Sequence, residues 1–174
     1  MKKAVLIIAD QNFQDREYFV TKETLEDGGM EVKTAAGQKG TAEGVFGFKA
    51  GVDLPVAEVK PVNFDAVVFI GGGGALEYLD NEISYDLVRE TIRQNKILAA
   101  ICVAPVILAK AGALKNKKAT VWRNSSDKEP IKILEKNGAE FVDKNVVVDG
   151  KIITANGPVA AEEFGENILK LING

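Results

Sequence analysis

Four short stretches, residues 4–9, 31–35, 66–70 and 97–102, are near-continuously apolar or β-branched. Longer segments with helical spacing separate them. Strands buried on both faces read this way, so the alternation implies a mostly parallel sheet with helices on both sides. The helical segments are 15–27, 84–95, 105–111, 130–137 and 159–172. The first carries Tyr18, Thr21 and Leu25 on one stripe and stops at Gly28-Gly29; the second carries Tyr85, Val88 and Ile92. Pro105 opens the third and Gly112 stops it, while Gly138 closes the fourth. The last aligns Phe164, Ile168, Leu171 and Ile172, with Glu162 and Glu163 in its first turn, where the helix dipole favours acids. Two stretches interrupt the alternation: glycine-rich residues 37–53, read as a small hairpin or edge excursion, and residues 146–154, a hairpin turning at Asp149-Gly150. The 174 residues have no linker, repeat or low-complexity tract and are expected to form one domain, 1–174.

Composition removes several chemistries. With no histidine, the chain has no Ser-His or Cys-His pair and no His-ligated metal. One cysteine excludes an internal disulfide and a multi-Cys zinc site. A balance of 22 basic against 25 acidic residues, net −3, with scattered lysines, argues against a nucleic-acid surface. The apolar run at the start is too short for a signal peptide or a membrane span, so a cytosolic protein with no membrane partner is expected.

In an open parallel sheet, ligands bind beyond the carboxyl ends of the strands. The residues placed there are 10–15, then Gly71-Gly72-Gly73-Gly74, then Cys102-Val103-Ala104-Pro105. The glycine run fails as a dinucleotide fingerprint because Leu76 holds the last glycine position, and no Gly-Lys-Ser/Thr follows it. It reads as a tight turn, as an oxyanion hole of backbone N–H groups, or as a phosphate cradle. Cys102 ends its strand with Ala100 and Ala104 two residues to either side, the small neighbours that an abrupt strand-to-helix turn requires. Such a nucleophile elbow would place the sulfur at a helix N-terminus, favouring thiolate. The other reading is a buried, inert cysteine that fills space.

Four blocks in order, Lys33-Thr34-Ala35, Phe69-Ile70-Gly71-Gly72-Gly73, Ala99-Ala100-Ile101-Cys102-Val103-Ala104-Pro105 and residues 146–158, resemble the DJ-1/ThiJ/PfpI superfamily across essentially the whole chain. The resemblance implies a flavodoxin-like α/β sandwich, a homodimer sometimes assembled into hexamers, a reactive Cys102, and an oxyanion hole from the N–H groups of Gly72 and Val103. No cofactor and no metal are expected. Members of the superfamily are described as peptidases or amidases, glyoxalases or deglycases, isocyanide hydratases, chaperones and stress proteins, so the reaction stays open.

Three positions depart from the superfamily's pattern. The histidine that follows the cysteine in PfpI-type members is Val103 here, and the arginine of the Ser-Arg-Gly-Pro segment is Asn156. The glutamate that the superfamily hydrogen-bonds to the cysteine aligns, through Phe13, with Gln14. A glutamine amide can orient the sulfur but cannot transfer a proton, and losing a general acid/base costs about 10²–10⁴ in rate. Asp10, Asp15 and Glu17 on the same loop are the candidate substitutes. Trp122 and Arg123 either line the cleft or, for Trp122, pack in the core or a dimer interface.

The expectation is a divergent cysteine-dependent hydrolase, amidase or glyoxalase/deglycase acting on a small carbonyl or amide. Cys102 and Gln14 are its catalytic pair, Gly72 and Val103 its oxyanion amides, and Gly71, Trp122 and Asn156 its substrate contacts. The alternatives are a cysteine redox sensor or stress protein, and a binding protein that has lost the chemistry.

Overall fold

The computed structural model describes residues 1–174. Its strands are β1 (Lys3–Ile7), β2 (Gln11–Phe13), β3 (Glu31–Ala36), β4 (Gly40–Gly44), β5 (Lys49–Val52), β6 (Leu54–Pro55), β7 (Ala66–Phe69), β8 (Ile97–Ile101), β9 (Lys118–Ala119), β10 (Glu140–Phe141), β11 (Val146–Asp149) and β12 (Ile152–Ala155). Its helices are α1 (Asp15–Asp27), α2 (Gly73–Tyr78), α3 (Glu82–Arg93), α4 (Pro105–Lys110), α5 (Glu129–Lys136) and α6 (Ala161–Asn173).

Seven strands form the main sheet in the order β11-β12-β8-β7-β1-β3-β6. Every neighbouring pair is parallel except β11 with β12, the hairpin turned by Asp149-Gly150. The period-two alternation of each strand divides its side chains between two apolar layers. Val5, Ile7, Val67, Phe69, Leu98 and Ala100 face α3, α4 and α5. Ala4, Leu6, Val68, Ile97, Ala99 and Ile101 face α1 and α6. This is the expected mixed α/β sandwich with a mostly parallel sheet. The chain passes from β1 to β3 on one side and then returns to β7 on the other. That reversal opens a crevice at the carboxyl ends of β1 and β7, where ligands bind in such sheets.

Local detail departs from the expectation in two places. The glycine run does not remain a turn: Gly73–Tyr78 is helical, with Gly72 at its N-cap (φ 106°). A Cβ on Gly74 would lie 1.8 Å from the Gln11 carbonyl, so close packing onto β2 requires glycine inside this helix despite its poor helix propensity. In α3 the buried stripe is Ser84, Leu87, Val88 and Thr91, and Ile92 is 42% exposed. Thr91 can face inward because its hydroxyl donates to the Leu87 carbonyl at 2.6 Å. No helix is long and apolar enough to cross a membrane.

Candidate active site

Cys102 stands between β8 and α4 with φ +65°, a left-handed conformation that costs a non-glycine residue about 1–3 kcal/mol. Its backbone is held from two sides. Its N–H donates to the Ala155 carbonyl at the end of β12, and its carbonyl accepts from the Trp122 N–H at 2.7 Å. The side chain is 7% exposed. The backbone N–H groups of Gly72 and Val103 are directed toward the sulfur and favour its charged form.

Against the thiol lies Glu17, fully buried in the first turn of α1. Its Oε2 accepts from the Gly71 N–H at 3.0 Å, and its Oε1 is buried without a hydrogen-bond partner. Burial pushes the Glu17 carboxyl up to about 8, against the opposing hydrogen bonds from Cys102 and Gly71. Burial also raises the Cys102 thiol, and the Glu17 charge and hydrogen bond raise it further, while the Gly72 and Val103 amides oppose. Two acids in one apolar pocket cannot both ionise near neutrality, so the pair titrates as a unit and retains a shared proton.

Gly71 makes this proximity possible. A Cβ there would fall 2.5 Å from the Cys102 Cβ and 2.8 Å from Glu17 Oε2. At Gly72 it would fall 2.4 Å from the Gln14 nitrogen. The glycine run is therefore the spacer that lets β7, β8 and α1 converge on one sulfur.

Trp122 and the end of β12, which hydrogen-bond to the Cys102 backbone from either side, lead into an open cavity of about 320 Å³ lined by Trp122, Arg123, Asn145, Asn156, Gly157, Pro158 and Val159. Asn156 Nδ2 donates to Asn145 Oδ1 at 3.3 Å. The Trp122 ring lies 3.1 Å from where a Cβ on Gly157 would sit.

The family model described as DJ-1/PfpI matches residues 2–171. The chain belongs to the DJ-1/PfpI family. An uncharacterised protein of Methanocaldococcus jannaschii is 41% identical over 171 residues, covering 98% of this chain and 82% of that one. Deglycase PfpI of Pyrococcus furiosus is 32% identical over 168 residues, covering 97% of this chain and 98% of that one. The crystal structure of a ThiJ/PfpI domain protein from Brachyspira murdochii superposes with a TM-score of 0.92 at 34% identity, covering 98% of this chain and 96% of that one.

Within this DJ-1/PfpI chain the expected residues converge unevenly. Cys102, Gly71, Gly72 and Val103 come together at the sulfur, and Trp122 and Asn156 line the adjoining cavity. Trp122 is 37% exposed and is not a core residue. Gln14 requires correction. Its Oε1 accepts from the Glu17 N–H at 3.0 Å, so it caps α1, and the carboxyl set against the thiol belongs to Glu17. The alignment through Phe13 stops one helical turn short. The other two candidate acids are engaged elsewhere: Asp10 accepts from the N–H groups of Gly37 and Gln38, and Asp15 from those of Phe46 and Phe48. The sequence did hold a signal for Glu17, which falls on the buried stripe with Thr21 and Leu25 at i+4 and i+8.

Proposed function

We propose that the protein is a cysteine-dependent enzyme of the hydrolase or deglycase type that acts on a small carbonyl compound. The observation that carries this reading is a fully buried carboxyl, raised to about 8, set against a thiol in a left-handed turn. In the proposed step the Cys102 thiolate attacks the carbonyl carbon, a carbon–sulfur bond forms, and the carbonyl π pair moves onto oxygen. The N–H groups of Gly72 and Val103 receive that oxyanion, and protonated Glu17 delivers its proton to the departing or newly formed oxygen. Trp122 and Asn156 hold the rest of the substrate. The Pyrococcus furiosus relative named as a deglycase supports the same class. The test is methylglyoxal consumption by wild type and by Cys102→Ala. Loss of activity in the variant is expected, and an equal rate in both would overturn the reading.

The assembly we infer is a homodimer. Phe46 is 71% exposed and Phe48 62%, and with Phe19 they line an apolar basin of about 460 Å³ beside Asp15 and Arg16. Contiguous exposed aromatics of this kind mark an interaction face, and a second copy brings an identical patch to it.

A further inference from the structure

Arg123 follows Trp122, whose N–H is bonded to the Cys102 carbonyl, and lines the cavity that opens there, yet its guanidinium is already engaged. Its Nε donates to Asp143 Oδ1 at 3.3 Å and its Nη2 to Asp143 Oδ2. That two-point contact occupies the edge of the guanidinium that would otherwise grip a carboxylate, and it cancels the charge. The remaining polar lining consists of neutral amides, Asn145 and Asn156. Arg16, the other cation at this rim, donates its Nε to the Pro158 carbonyl at 3.2 Å.

We infer that Asp143 is a specificity-determining residue of the Cys102 site: by capping Arg123 it biases the cavity toward uncharged carbonyl substrates over those carrying a carboxylate. The inference rests on the reading of Cys102 as the nucleophile. It assigns Asp143 no part in the chemistry itself.

The experiment uses two alkylating probes of similar size, uncharged iodoacetamide and anionic iodoacetate. With either probe the Cys102 thiolate forms the carbon–sulfur bond and iodide leaves, so the ratio of the two rates, normalised to free cysteine, reads the charge that the cavity presents. Because the pair is exposed, at 40% and 60%, Asp143→Asn should shift the ratio toward iodoacetate by about two- to fivefold, with the shift shrinking in high salt. Arg123→Gln should move the ratio the opposite way, and the double variant should return close to wild type. Glu135→Gln, which removes one acid without touching Arg123, should leave the ratio unchanged. An unchanged ratio in Asp143→Asn, or an equal shift in Glu135→Gln, overturns the role of Asp143 while leaving Cys102 as the nucleophile. Failure of both probes to alkylate Cys102 overturns the parent reading and this one with it.

Discussion

Replacing Glu17 with glutamine should stabilise the protein and disable it in the same stroke. The carboxyl is buried, and its ordinary value of 4.5 is raised to about 8. The folded state therefore binds the Glu17 proton more tightly than the unfolded chain does. The stability associated with that proton is fully present below about pH 4.5 and is lost progressively as pH rises toward 8. At pH 7, about 2.5 units above the unfolded value, the loss is roughly 3 kcal/mol at about 1.4 kcal/mol per unit. Glutamine has nearly the same shape and never ionises, so Glu17→Gln avoids this loss. For a chain of this size, roughly 3 kcal/mol corresponds to a melting temperature about 6–12 °C higher at pH 7, with the difference vanishing near pH 4. Carbonyl turnover should fall by about 10²–10⁴, the usual cost of removing a general acid/base. Thermal melts of both proteins from pH 4 to 8, beside methylglyoxal consumption, provide the assay. Melting curves that run parallel across that range would refute the raised carboxyl, and with it the shared proton.

Two further outcomes follow from the same structure. Gln14→Ala removes the side-chain cap of α1 and should cost about 1 kcal/mol in urea denaturation, while the pH profile of Cys102 alkylation keeps its wild-type shape because Glu17 remains beside the sulfur. Phe46→Asp combined with Phe48→Ser places charge and polarity on the apolar basin and should convert the inferred dimer to monomer in sedimentation velocity while leaving the far-UV circular dichroism spectrum unchanged.

The layered architecture is legible because burial on both faces leaves near-continuous apolar runs, and because α1 and α4 carry ordinary stop signals at Gly28 and Gly112. What stayed hidden depended on close contact between elements far apart in the chain. Gly73 and Gly74 look like helix breakers until β2 is seen to pass within a methyl group's reach of Gly74. Large apolar residues dominate the apparent stripe of α3, Tyr85, Val88 and Ile92, of which the structure buries Val88 together with Ser84, Leu87 and Thr91. Glu17 is easily passed over for the opposite reason: the first turn of a helix is the most ordinary place for an acid, and that outweighs the one inward signal, its phase with Thr21 and Leu25.

The missing histidine takes on a different meaning once Glu17 is placed. A cysteine paired with histidine becomes an ion pair, with a thiolate beside an imidazolium, and needs an environment that tolerates both charges. The pocket here is apolar and buried, and Val103 occupies the position where PfpI-type relatives carry that histidine. A carboxylic acid suits it better, because the protonated acid beside a thiolate carries one charge in total. That single charge meets the N–H groups of Gly72 and Val103, which are fixed by the backbone and do not titrate. Glu17 and Cys102 together give up their first proton only near pH 8, so the activity proposed for this site should rise with pH toward that value as the ionisation of one coupled pair rather than as two independent steps.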